Sequence, residues 1–157
     1  MKNRYASASR LFMSLWALAW FSSPAAAQQP DPALLAKINA IRKENRALQS
    51  DTSLRFHSVD NDQLIAFSKM SEDRSNVIVV VANLDPHHKQ SGWVDLPLDY
   101  FHIDLHQEYQ MHDLVTEDRY LWQGPRNYVE LDPQRMPAHI FRLRRRVRSE
   151  HDFDYFL

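Results

Sequence analysis

The chain has 157 residues, enough for one domain once any leader is set aside. Its 19 Lys and Arg nearly balance 20 Asp and Glu, so the molecule as a whole has no field that would select nucleic acid. The lack of Cys excludes disulfides, thiolate metal sites and a Cys nucleophile, and two glycines (Gly92 and Gly124) are too few for a phosphate-cradling loop.

The N-terminal stretch differs in composition from the rest. "MKNRYASASR" carries Lys2, Arg4 and Arg10 without an acid, and Leu11 to Phe21 is apolar apart from Ser14. Ala25 and Ala27 satisfy the small-residue rule for cleavage after Ala27, so residues 1–27 read as a secretory leader and imply a periplasmic or secreted product. About 20 apolar residues are needed to cross a bilayer. The apolar run here has 11, which argues against stable membrane insertion. An uncleaved anchor and an accidental start are the alternatives.

Residues 31–48 have helix grammar. Asp31 can cap free N–H groups, and Pro32 suits the first helical position, where no donor is needed. Leu34, Leu35, Ile38 and Ile41 recur on one stripe, and the helix should fade between Asn45 and Leu48. A single helix cannot bury its own stripe. It must dock on something, or the protein self-associates.

From Leu54 onward the period changes to two. "LRFH", "QLIAFSK", "NVIVVVANL", "SGWVDLP", "EYQMHDL", "RYLWQ", "NYVELD" and "AHIFRLRRR" are short, rich in β-branched and aromatic residues, and divided by turn residues. "NVIVVVANL" is apolar on both faces, the mark of a central strand. The pattern predicts an all-β fold, an antiparallel β-sandwich of about eight strands preceded by one amphipathic helix.

Reactive constellations are scarce. His87 and His88 are adjacent in a turn, and His102, His106 and His112 are spaced by four and six. A metal needs three or four converging ligands with outer support, and this spacing supplies neither; these read as loop and surface histidines, with no cofactor implied. No Gly-x-Ser-x-Gly elbow is present, and no spacing singles out two carboxylates for glycoside chemistry.

In "RLRRRVR", Phe141, Leu143 and Val147 alternate with Arg142, Arg144, Arg146 and Arg148, which predicts a strand with a solvated basic face and no nucleic-acid partner. Phe153, Tyr155, Phe156 and Leu157 in the tail "EHDFDYFL" suggest that it docks back over those arginines. In "RYLWQGPRNYVELDP", alternation puts Tyr120 and Trp122 on one strand face, and Val129 and Leu131 on one face of the next. Such rings fill cores or stack on sugars, and packing is the plainer use. If any aromatics contact a glycan, the candidates are Trp93, Tyr120, Trp122 and Tyr128.

"INAIRKENRALQ", "LRFHSVDNDQLIAFSK" and "NVIVVVANLDP" resemble the end of an α-amylase-superfamily chain, its last barrel helix followed by the C-terminal sandwich. "DPHHKQSGWVDLP", "HDLVTEDRYLWQGPRNYVELDPQRMPAHIFRLRRR" and "EHDFDYFL" are similar to the C-terminal region of α-1,4-glucan:maltose-1-phosphate maltosyltransferases. The resemblance runs from Pro32 to Leu157. It implies residues 31–48 as a barrel-helix remnant, residues 52–157 as the sandwich domain, and α-1,4-glucan and maltose 1-phosphate as the family's substrates. The family's nucleophilic Asp, acid/base Glu and third Asp lie on the upstream barrel, so the resemblance carries no catalytic residue onto this sequence and implies an inactive chain. It also implies a cytoplasmic location, in conflict with the leader. A remnant with an accidental start, an exported glucan-binding module, and a module completing a separately encoded barrel all remain open.

Overall fold

A computed structural model describes residues 31–145. The leader-like segment, Val147, Arg146, Arg148 and the aromatic tail lie outside the described residues. Helix α1 spans Pro32–Glu44, followed by a 3-10 turn at Arg46–Gln49. The strands are β1 (Arg55–Val59), β2 (Leu64–Met70), β3 (Val77–Asn83), β4 (Gln90–Asp95), β5 (Glu108–Asp113), β6 (Arg119–Gln123), β7 (Arg126–Leu131) and β8 (Ala138–Arg144). All eight period-two segments are strands, and every ladder is antiparallel.

The strand order is β6-β5-β8-β3-β2-β1-β4-β7. Two layers share one strand. Arg55, Phe56 and His57 of β1 pair with β2, while Ser58 and Val59 pair with β4. The chain thereby turns a corner from the larger sheet into the smaller β1-β4-β7 sheet. At the opposite corner the β6–β7 turn closes the sandwich. There Gly124 sits at φ 70°, a left-handed conformation that costs glycine little. The Tyr109 hydroxyl donates to the Gly124 carbonyl at 2.8 Å and accepts from Asn127 Nδ2 at 2.9 Å. Burial pushes the Tyr109 phenol up to about 12, with the Asn127 hydrogen bond opposing it, so the hydroxyl remains a donor.

Val79, Val81, Val94, Tyr109, Met111, Phe141 and Leu131 form the inner core between the layers. A second cluster covers the outer face of the larger sheet, where Ile41, Ala47 and Leu48 pack on Phe67, Ile78, Val80 and Ile140. β3 is therefore buried along all seven residues. Its two apolar faces meet two different cores.

The helix docks by its C-terminal end. Asp31 Oδ1 accepts from the Ala33 N–H at 2.9 Å, as the cap grammar predicts. Of the predicted stripe, Ile41 is buried and Leu35 and Ile38 are half-buried, but Leu34 is 37% exposed. Asn45 seals the docked end. Its Nδ2 donates to the Ile41 carbonyl at 2.7 Å, and its Oδ1 accepts from Asn76 Nδ2 at 3.0 Å and from Arg142 Nη2 at 2.7 Å. Arg142 departs from the solvated basic face that alternation predicts: it is half-buried, because that face of β8 lies under the helix end. Arg144 is exposed as expected.

Candidate functional site

The histidines divide by position. His87, His88, His102 and His106 are exposed loop residues, as predicted, but His112 lies on β5 and is 7% exposed. Its Nε2 meets Glu117 Oε2 at 2.9 Å, and Lys37 of α1 meets the other Glu117 oxygen at 3.8 Å. Its spacing in the sequence carries no mark of this, because burial comes from α1 folding over that face. Among the described residues no three His, Asp or Glu side chains converge as metal ligands would.

A second acid–imidazole pair escaped the sequence altogether. Fully buried Asp113 holds His139 Nδ1 at 2.6 Å and accepts from the Val115 N–H at 2.9 Å. Burial alone would raise the Asp113 pKa, but the hydrogen bonds from His139 and the Val115 N–H, with the His139 charge, outweigh it and hold the carboxyl below its ordinary range. His139 in turn stacks on Phe141 at 4.9 Å between centroids. The pair staples the β5–β6 turn to β8. Among the described residues no Ser or Thr hydroxyl is hydrogen-bonded to either member of the pair.

The four candidate aromatics separate into two places. Trp122 is 9% exposed and meets Phe141 at 5.4 Å and Tyr109 at 6.4 Å, so it is committed to the inner core. Tyr120 shares that strand face, as alternation predicts, and stands at its rim against Phe141 and His139. Trp93 and Tyr128 behave differently. They are directly paired across β4 and β7, their ring centroids 5.6 Å apart and their planes inclined by 66°. They are 43% and 50% exposed, on the outer face of the smaller sheet.

The surroundings of this pair are built by the β1–β2 loop. Asp60 Oδ1 accepts the Trp93 backbone N–H at 2.7 Å, and Oδ2 accepts from Arg126 Nη2 at 2.9 Å. The Arg126 guanidinium lies over the Trp93 ring, 5.9 Å from its centroid. The loop comes this close because position 92 lacks a side chain. A Cβ on Gly92 would meet Asp60 Oδ1 at 2.9 Å and Asn61 Cβ at 3.2 Å. Asn61 locks the loop in turn, donating to the Ser91 carbonyl at 2.8 Å and accepting from the Gln63 N–H at 2.8 Å. The result is an open depression of about 670 Å³ bordered by Asp60, Asn61, Asp62, Ser91, Trp93 and Tyr128. Two inclined rings form one wall and oxygen-rich side chains the other. Such a surface can stack and hydrogen-bond a polar ring, and among the described residues its Ser91 hydroxyl is hydrogen-bonded to no basic side chain.

Known proteins place this architecture. A family model described as "GLGE, C-terminal" matches residues 56–143, from β1 into β8. The chain is 46% identical over 112 residues to α-1,4-glucan:maltose-1-phosphate maltosyltransferase 2 of Streptomyces coelicolor, covering 71% of this chain and 16% of that protein. It is 43% identical over 110 residues to the maltosyltransferase of Rhodospirillum rubrum, with 70% and 16% covered. For that of Myxococcus xanthus the figures are 34% over 122 residues, with 78% and 18% covered. The chain thus spans about a sixth of the length of the curated relatives it matches. Since the family model takes in more than half of the 157 residues and every described strand, the chain belongs to the GLGE C-terminal family, the sandwich domain of the maltosyltransferases.

Proposed function

We propose that this chain is a non-catalytic domain of the α-glucan-elongating type, which braces a maltosyltransferase barrel and has no transferase activity alone. The observation that carries this is the position of the family match. Residues 56–143 correspond to a C-terminal domain, and the relatives named for maltosyl transfer extend far beyond it. The geometry agrees in kind, because α1 is docked at only one end. Leu34 stands exposed beside half-buried Leu35 and Ile38, an apolar face suited to a second domain.

A barrel supplied on the same polypeptide or by a separate one would cover that face equally well. The test is phosphate release from maltose 1-phosphate with glycogen as acceptor. The purified chain should release none above the rate without protein. Activity that survives removal of copurifying enzymes would defeat the proposal. Restored activity on adding a family barrel, lost with Leu34→Asp and Ile38→Asp together, would support the docking face as well.

A further inference from the structure

We propose that His112 is an acid-sensitive latch for helix α1: the neutral ring holds the helix down on the larger sheet, and protonation of the ring releases its N-terminal half. The latch lies within this chain. Only its consequence for a barrel rests on the docking face proposed above.

Helix α1 is held at two points. Its C-terminal end is sealed by Asn45, which bonds Asn76 and Arg142. The rest depends on the β5–β6 turn. Leu114 and Val115 of that turn pack in the same cluster as Ile41, and Lys37, one turn earlier on the helix, meets Glu117 Oε1 at 3.8 Å. Glu117 stands at φ 68°, a left-handed conformation that a residue with a Cβ adopts at a cost. His112 holds its carboxylate in place, with Nε2 at 2.9 Å from Oε2. One carboxylate thus joins the helix to the sheet through an imidazole.

The two ring nitrogens are placed unequally. A carboxylate only accepts, so Nε2 carries the proton in that bond, and Nδ1 of the neutral ring is then a bare acceptor. Nδ1 is buried with no hydrogen-bond partner among the described residues. Protonation would turn it into a buried donor aimed at nothing. The surrounding charges give no relief. His112 stands directly opposite Arg142 of β8 and Arg119 of β6, a cation on either side. Asp118 is exposed to solvent, and Asp113 turns to the other face of the sheet, toward His139. That leaves Glu117, which is exposed and shared with Lys37, so screening weakens its pull on a charged ring. A protonated ring can satisfy Nδ1 only by turning toward water, and turning breaks the bond that positions Glu117.

His139 shows the opposite arrangement. Its Nδ1 faces fully buried Asp113 at 2.6 Å, and among the described residues neither of its nitrogens is buried without a partner. Protonation of His139 therefore orphans no donor. His57 does carry a buried orphan nitrogen, but its ring lies against Phe101 at the β1 corner. If α1 faces a barrel, release of its N-terminal half would scatter Leu34, Leu35 and Ile38, and acid would weaken that contact.

The test is hydrogen exchange of the whole purified chain at about pH 7.5 and about pH 5, a range over which imidazoles charge. Each amide's rate is divided by its unstructured value at the same pH. Between the two conditions, protection of the amides of residues 35–41 should fall by about tenfold more in the wild type than in His112→Gln, the scale of one orphaned buried donor. The glutamine amide can donate to Glu117 without titrating. His57 titrates in both proteins, so its effect cancels. His139→Asn should show the wild-type loss. A loss in His112→Gln as large as in the wild type, or no loss in the wild type, would overturn the latch. Should His112→Gln not fold, ring-nitrogen NMR of the wild type decides. The neutral ring should carry its proton on Nε2, and its charging should coincide with shifts in the amides of residues 35–41. A proton on Nδ1, or charging that leaves those amides unmoved, would overturn it equally. Neither a barrel nor a transferase assay enters these measurements, so their failure leaves the non-catalytic reading standing, and failure of that reading leaves the latch standing.

Discussion

β3 and β4 are internal strands of their sheets, yet their outward faces have opposite fates. β3 is buried at every position because α1 and the 3-10 turn cover Ile78 and Val80. β4 alternates, with Val94 inward and Trp93 outward in solvent. The outward side chains of β3 are thus part of what holds the fold together, whereas those of β4 are spared that duty. The aromatic pair on the spared face, Trp93 and Tyr128, is held by a cross-strand ring contact and not by a covering element. The two faces can be separated by how much stability each outward side chain carries.

The largest effect belongs to Ile78→Ala. Ile78 is fully buried under the helix, and removing such a side chain from a packed site typically costs about 2–5 kcal/mol. Denaturant unfolding should show the midpoint falling by that equivalent with an unchanged slope. A cost below about 1 kcal/mol would mean that the helix covers β3 only loosely and that the contrast between the faces is shallow.

Asn45→Ala tests the seal at the helix end. The substitution removes the acceptor of Arg142 and of Asn76 and leaves half-buried donors unsatisfied, each costing up to about 1–3 kcal/mol. Partial rescue by water at the rim should bring the total to about 2 kcal/mol. Faster amide exchange confined to α1 and the 3-10 turn would identify local undocking. Exchange accelerated equally throughout both sheets would count against a separate helix seal.

The corner strand β1 offers a test by pH. Among the described residues His57 Nε2 is buried without a hydrogen-bond partner, and the His57 ring meets Phe101 at 6.0 Å. Burial first, and the Arg55 cation second, lower its pKa from 6.5 to about 4. Between those values the unfolded chain binds a proton that the folded chain refuses, so the unfolded state gains as pH falls. The contribution is therefore fully present above about 6.5 and is lost progressively toward about 4. In His57→Phe the stability curve should be flatter across that window. An unchanged slope would remove His57 as its source and leave other groups to explain the acid limb.

The contrast between β3 and β4 was partly visible in the sequence. "NVIVVVANL" has no polar alternation, so two covered faces follow from its residues alone, and Asp31-Pro32 marks the helix start for reasons of local chemistry. Strand order was not visible, because it depends on pairings far apart in sequence, such as Arg126 opposite Asp95. For the same reason no local pattern joins Trp93 to Tyr128, or Asp113 to His139. The aromatic run from Tyr120 to Tyr128 looks continuous in sequence, yet the Gly124 turn sends its two halves to different sheets. The basic run misled in the opposite sense. Alternation identified the two faces of β8 correctly but could not show that one of them lies under Asn45.

Trp93→Ala should produce the smallest change in stability, and it bears most directly on the contrast. The ring is 43% exposed, its backbone N–H bond to Asp60 survives the substitution, and what disappears is the contact with Tyr128 and with Arg126. Exposed cross-strand aromatic pairs contribute about 0.2–1 kcal/mol, so the unfolding free energy should fall by no more than about 1 kcal/mol. Tyr128→Ala should match it, and the double substitution should cost less than the sum, because either single change already ends their shared contact. A loss of several kcal/mol would mean that the pair props the smaller sheet as Ile78 props the larger. A small loss leaves two rigid, inclined aromatics whose burial contributes little to folding, on a face where polar side chains would serve stability as well.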